Sequence, residues 1–156
     1  MKTKIIIILL FLACSISCSK KENSVYILPE NYKGYIIVVY NQKNGTPTLY
    51  ENDKRIYRIP PSGILKTQFD ADYGWSEFPE FYYEKISSNN KLPLKFDFKE
   101  VPNDSTVCFG GTTGTVNKNL EGTETIKFTN YYIGNKKEIE NAIKAADSID
   151  YNKLGK

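Results

Sequence analysis

Hydrophobic runs of strand length cover most of this chain. Tyr35–Tyr40 is apolar at nearly every position and rich in β-branched residues, which predicts an internal strand that is covered on both faces. A later run alternates instead, so we expect Leu94, Phe96 and Phe98 to face a core while the charged residues between them face solvent. Thr123–Tyr132 is predicted to form one long strand near the end of the chain.

Turn residues separate these runs at short intervals. Asn44-Gly45 is a pair favoured in hairpin turns, and in Pro60-Pro61-Ser62-Gly63 the second proline presets φ for a β-turn. The remaining predicted segments are strand 46–51, turn 52–53, strands 55–59 and 64–69, loop 70–80, and strands 81–86, 106–109 and 112–116. Closely spaced hairpins predict mainly antiparallel pairing.

The hydrophobic period changes after Asn135. Asn135 suits a helix N-cap, and Glu138 three residues later completes a capping-box pattern. The apolar residues that follow at helical spacing are Ile139, Ala142, Ile143 and Ala146. We therefore predict one domain over residues 25–156, an all-β, mainly antiparallel sandwich with one C-terminal α-helix. The stretch Pro29-Glu30-Asn31-Tyr32-Lys33-Gly34-Tyr35 resembles β sandwiches of the immunoglobulin or transthyretin-like kind, which is a likeness of fold only.

Composition agrees with a β domain and narrows its chemistry. Of 156 residues, 12 are Tyr and 8 are Phe, and such side chains suit a pleated, half-buried surface. The chain has no histidine, which excludes Ser-His-Asp and Cys-His catalysis and imidazole metal sites. Its net charge is +3, and the basic residues are interspersed with acids, so we expect no nucleic-acid partner.

The first residues have the layout of a secretory signal. Lys2 and Lys4 precede the apolar run Ile5–Ala13, which is too short to span a bilayer. Small residues then lead to Cys18, in a pattern that resembles a bacterial lipobox. We predict a signal peptide at 1–17 that is cleaved, with lipidated Cys18 and a tether at 18–24.

Cys14 competes with Cys18 as the lipidated residue, because Ala, Leu and Phe precede it. Cys18 is preferred, since Cys14 lies almost within the apolar run and polar residues begin directly after Cys18. More than one acyl chain gives stable anchoring, so the expected partner is a lipid bilayer. The expected location is the cell envelope, on the outer membrane, facing either the periplasm or the surface. Cys108 would then be the remaining thiol, and a buried role is predicted for it.

Aromatic residues and carboxylates gather between residues 70 and 84. Tyr73, Trp75 and Tyr82 are the predicted ligand-binding residues, because sugar rings stack on such side chains. An alternative is a small glycan hydrolase, for which the candidate carboxylates are Asp72, Glu77, Glu80 and Glu84. A second alternative is an inhibitor or immunity-type lipoprotein, which would need an exposed docking patch.

Two further motifs fall short of a metal site and a phosphate loop, so we predict no metal and no cofactor. Asp70, Asp72 and Glu77 suggest a loose calcium site, but the spacing of an EF-hand fails, since Gly74 is at position 5 and Phe81 at position 12. The glycine-rich stretch 110–114 lacks the lysine of a phosphate loop and is interpreted as a hairpin turn, with a bulge at Gly110-Gly111 as the alternative.

Several segments together resemble an uncharacterised family of small, Bacteroidetes-type lipoproteins with a domain of unknown function. These segments are Ile27-Leu28-Pro29-Glu30-Asn31-Tyr32-Lys33-Gly34, the stretch 57–67 with its Ile-Pro-Pro-Ser-Gly-Ile-Leu core, Tyr73-Gly74-Trp75, and Phe128 through Gly134. The resemblance implies no activity and no catalytic residues. We expect a non-enzymatic, membrane-anchored envelope protein that binds a protein or glycan partner.

Overall fold

The computed structural model describes residues 22–72 and 77–155, and within them two β-sheets pack face to face with one α-helix on the outside. In chain order the elements are β1 (Asn23–Leu28), β2 (Gly34–Val39), β3 (Tyr50–Glu51), β4 (Lys54–Arg58), β5 (Ile64–Lys66), β6 (Glu80–Tyr83), β7 (Lys91–Leu92), β8 (Leu94–Lys95), β9 (Val107–Asn117), β10 (Thr125–Gly134) and α1 (Lys136–Asp147). Single 3-10 turns lie at Ser88–Asn90, Phe98–Glu100 and Tyr151–Lys153.

Each sheet has five strands. Sheet I has the order β3-β4-β1-β6-β7, and sheet II has the order β5-β2-β10-β9-β8. Both are mixed, because β1 pairs in parallel with β4 and β6, β2 with β5, and β8 with β9, while the other pairs are antiparallel. The predicted class, a β sandwich with a C-terminal helix, is confirmed.

The main core lies between the sheets. Alternate residues of each strand enter it, so Tyr26 and Leu28 of β1 face Ile36 and Val38 of β2 and Ile133 of β10. All five are at most 2% exposed. Burying each such side chain stabilises the fold by about 1.5 to 3 kcal/mol before conformational entropy is counted.

The predicted internal strand at 35–40 is confirmed as β2, which has β5 on one side and β10 on the other. Its second face carries Ile37 and Val39, which are fully buried. The C-terminal segment covers them, with Ile149, Tyr151 and Leu154 packed against this face. The chain after the helix is therefore part of the sandwich.

The predicted helix and its cap are confirmed. The Glu138 backbone N–H donates to Asn135 Oδ1 at 3.0 Å, and the Asn135 N–H donates to Glu138 Oε2 at 2.9 Å. Ile139, Ala142 and Ala146 are buried on one face of α1, as their spacing predicts. Within the described residues, no helix is long and apolar enough to cross a bilayer.

The predicted turns form, but the hairpin pairing is only partly correct. Asn52 and Asp53, both at positive φ, join β3 to β4 as an antiparallel hairpin. The turn at Gly45 also forms, since its N–H donates to the Gln42 carbonyl at 2.8 Å. However, β2 and β3 lie in different sheets, and Thr46 instead makes a parallel bridge to Thr67.

The turn at Pro60–Gly63 likewise moves the chain from one sheet to the other. The Gly63 N–H donates to the Pro60 carbonyl at 2.9 Å, as a β-turn requires. The strands that it connects do not pair, because β4 belongs to sheet I whereas β5 pairs in parallel with β2 in sheet II. Tyr57 and Leu65 thus reach the same core from opposite walls.

Two local predictions are wrong. Phe96 does not face the core but is 55% exposed, because β8 ends at Lys95. Its ring contacts that of Phe78, with the centroids 4.8 Å apart. The stretch 110–114 is not a hairpin turn but the middle of the continuous strand β9, and Gly110 and Gly111 form the alternative, a bulge, opposite Tyr131.

Candidate functional site

A small polar cavity of about 70 Å³ lies between the sheets, near the end where β1 begins. A space of this size holds about four or five water-sized atoms. Strands of both sheets and the residues that flank segment 73–76 provide its walls. The lining residues are Glu22, Ser24, Tyr26, Tyr40, Tyr57, Asp72, Glu77, Pro79, Thr113, Thr129 and Tyr131.

Four tyrosines form the inner walls, two from each sheet. Tyr26 and Tyr57 come from neighbouring strands of sheet I and stack with ring centroids 4.9 Å apart. Tyr40 follows β2 and meets Tyr57 edge to face at 6.3 Å, while Tyr131 of β10 meets Tyr26 at 5.2 Å. All four are at least nine-tenths buried, so packing holds their hydroxyl groups in place.

The hydroxyl groups of this cluster stay protonated. Burial raises the pKa of Tyr26, Tyr40, Tyr57 and Tyr131 above the ordinary value of a phenol. The Tyr40 hydroxyl lies 3.2 Å from Thr129 Oγ1 and donates to it. The same hydroxyl groups also hydrogen-bond to one another, Tyr40 with Tyr26 and Tyr57 and Tyr131 with Tyr26, so the wall is a connected polar network.

Three of the lining residues, Glu22, Asp72 and Glu77, are carboxylates. Glu22 accepts from Arg55 Nε at 2.6 Å and from the Tyr50 hydroxyl at 3.1 Å. Glu77 accepts from the Asn23 side-chain amide at 2.7 Å. Asp72 and Glu77 line the cavity and are exposed.

Arg55 also holds the segment that leads to Asp72. Its Nη1 donates to the Asp70 carbonyl at 2.7 Å, and its guanidinium lies 4.9 Å from the centre of the Phe69 ring. One side chain therefore connects β4, the residue before β1, and the segment that leads to Asp72.

The residues predicted from sequence to bind ligand are not those of the cavity. Tyr73 and Trp75, like Cys18, lie outside the described residues. Tyr82 is 6% exposed on the outer face of sheet I, where it packs against Val25 on the side away from the cavity. Their ligand-binding and lipidation roles stay predictions. The four cavity tyrosines were missed, although each stands among strand-forming residues.

Of the four candidate carboxylates of the hydrolase alternative, two line the cavity and two do not. Glu80 is held by Lys54 at 2.7 Å and Lys91 at 2.6 Å, and these contacts lower the pKa of its carboxyl group to about 2. Glu80 is therefore ionised at neutral pH and cannot act as a general acid there. Glu84 follows β6 with a φ of 54° and does not line the cavity, whereas Asp72 and Glu77 do.

Two further sequence features have structural explanations. Within residues 22–72 and 77–155, no three acidic or cysteine side chains gather as a metal site would require, which leaves the loose calcium site without support. Cys108 is fully buried in the main core, and burial raises the pKa of its thiol, so it packs as a small hydrophobic residue.

Together these features define the class: a two-sheet β domain with a small, tyrosine-walled polar cavity. The chain belongs to a family of unknown function (DUF6843), whose profile matches residues 20–143. Among solved structures, the chain is similar to the crystal structure named "Putative Lipoprotein from Bacillus anthracis". The identity is 19% and the TM-score 0.45, over 73% of this chain and 71% of that one. No curated protein matches the chain.

Proposed function

We propose that this protein is a lipid-anchored component of the bacterial cell envelope whose domain is a non-enzymatic binding module. The cavity would hold a small polar group, either of a free molecule or presented by a protein or glycan partner. One observation carries the proposal. A cavity of about 70 Å³ lies between the sheets and is lined by four tyrosines, two threonines and three carboxylates. Concave sites with a few fixed polar groups are the usual form of a ligand site.

Burial and size both favour binding over catalysis. The four phenols are protonated and packed, so they are preorganised hydrogen-bonding groups and not nucleophiles. A whole sugar ring exceeds the four or five atoms that the cavity holds. A glycan partner would therefore insert a substituent, not a ring.

Blocking the cavity should abolish binding. Thr113 lines the cavity from β9, is exposed and shares a hydrogen bond with Thr129, so Thr113→Tyr adds a ring at the cavity and removes that one contact. We expect at least about tenfold weaker binding of small probes, a loss of about 1.4 kcal/mol. The assay follows NMR signals of the tyrosine rings in the purified full chain, in non-ionic detergent, on titration with propylammonium, 1-propanol and propionate.

Thr112→Tyr is the matched control, because the preceding position of the same strand is exposed, points to the other face and does not line the cavity. It should bind as the wild type does. The binding proposal fails if no probe shifts the ring signals at millimolar concentration, or if both variants bind as the wild type does.

Lipidation has a separate test. In cells that are fed labelled fatty acid, the wild-type chain should carry label, and Cys18→Ala should carry none. Cys14→Ala is the control and should keep the label, because cleavage before Cys18 removes residue 14. Label on Cys18→Ala but none on Cys14→Ala would show that Cys14 is the anchor and that the assignment to Cys18 is wrong.

A further inference from the structure

An apolar groove of about 360 Å³ lies beside α1, on the outer side of sheet II. The residues that line it are Phe98, Phe109, Glu140, Ile143 and Lys144. The two phenylalanine rings meet edge to face with centroids 5.5 Å apart. Phe98, Phe109 and Ile143 are only half-buried, so three large apolar side chains reach the surface together.

Two charged side chains form the wall of this groove on the α1 side. Glu140 and Lys144 are both exposed and stand four residues apart, a spacing at which opposite charges often pair along a helix. Among residues 22–72 and 77–155, however, neither of them makes an ion pair, with the other or with any further residue. Both charges are therefore available to a partner that docks on the groove.

The charges along α1 are complementary to a second copy of the same helix. In a two-fold interface, residue i of one copy contacts residue j of the other, and residue j contacts residue i. Two α1 helices that lie antiparallel, centred at the level of Ala142, place Glu140 of each copy opposite Lys144 of the other. The same arrangement places Lys137 opposite Asp147. These four charged residues are exposed, and at about 100° per residue they lie within an arc of about 80° on the helix.

We infer that this face is a self-association surface, on which a second copy of this chain docks with α1 antiparallel to α1. The two-fold relation brings the two grooves to the same side of the helix pair, so the apolar side chains of both copies are covered together. Parallel helices would instead place Glu140 against Glu140 and Lys144 against Lys144, so the charges select the antiparallel direction. The groove shares no residue with the tyrosine-walled cavity, and self-association does not depend on what the cavity binds.

Sedimentation equilibrium of the full chain, in a density-matched non-ionic detergent, measures the association. The wild type should dimerise reversibly at concentrations up to about 0.5 mM, as small interfaces do. Glu140→Lys should weaken the dimer at least about tenfold, because two exposed ion pairs are lost and two repulsions replace them. Lys144→Glu should weaken it equally. The double variant, Glu140→Lys with Lys144→Glu, exchanges the two charges and should dimerise as the wild type does.

A mixture of the two single variants tests the two-fold pairing directly. Glu140→Lys carries lysine at both positions, and Lys144→Glu carries glutamate at both, so equal amounts should form a mixed dimer at least as stable as the wild-type dimer. Glu121→Lys is the control, because it changes the net charge equally at an exposed residue of the β9–β10 connection. It should leave dimerisation unchanged.

Three results would overturn this assignment. The first is a wild type that remains monomeric at about 0.5 mM, where a weak interface should associate. The second is a dimer that neither single variant weakens, or that the double variant and the mixture do not restore. The third is a monomeric chain whose Phe98 and Phe109 ring signals shift in NMR spectra when anionic lipid is added, which would make a bilayer the occupant of the groove.

Discussion

Phe81→Ala is expected to lower the free energy of unfolding by about 3 to 5 kcal/mol. Phe81 has no exposed surface and lies between two tyrosines that line the cavity. Its ring centroid is 4.7 Å from that of Tyr26 and 4.8 Å from that of Tyr131. Removing the ring leaves a void between the sheets and ends both aromatic contacts, so the loss is a large part of the stability of a small domain.

Urea unfolding followed by circular dichroism measures this loss. Phe96→Ala deletes the same ring at an exposed position and should cost less than about 1 kcal/mol. Equal losses for the two variants would contradict the assignment of Phe81 to the core. Phe81→Leu should recover more than half of the loss, because it refills most of the void.

Phe81 also shows why only part of this fold could be predicted. Residues 81–86 were predicted to form a strand, and the hydrophobic pattern is sufficient for that prediction. Pattern does not identify the neighbouring strand, and Phe81 is paired in parallel with Tyr26, which is far away along the chain. Strand β1 itself was not predicted, although Val25–Leu28 is a continuous apolar run.

The cavity could not be predicted from the sequence, for the same reason. Its four tyrosines belong to four separate parts of the chain, and they meet only because β1 and β4 pair in sheet I while β2 and β10 pair in sheet II. Helix α1 was predictable because its cap and its apolar stripe are both local. Local sequence patterns therefore predict single helices and strands. Pairing between distant segments determines which polar side chains lie together.

The turn at Pro60–Gly63 is local in sequence and depends on such distant contacts for its stability. Gly63→Ala is expected to lower the free energy of unfolding by at least about 3 kcal/mol. Gly63 has a φ of +77°, which costs alanine about 1 to 2 kcal/mol. An added Cβ would also collide with the Tyr32 hydroxyl and with the backbone carbonyl of Tyr35, two atoms that are hydrogen-bonded to each other. Relief would require β2 to move, yet the Gly63 carbonyl accepts from the Ile37 N–H at 2.9 Å.

Gly122→Ala separates the cost of the positive φ from the cost of the steric collision. Gly122 has a similar φ of +68°, but the atom nearest to its added Cβ is Asn117 Nδ2 at 3.7 Å, an ordinary contact. It should lose only the backbone part, about 1 to 2 kcal/mol. If urea unfolding gave the same loss for both variants, the close approach of the turn to Tyr32 and Tyr35 would not matter. A larger loss for Gly63→Ala means that this glycine is required where the chain passes from sheet I to sheet II, because only a residue without Cβ lets the turn lie against the first residues of β2.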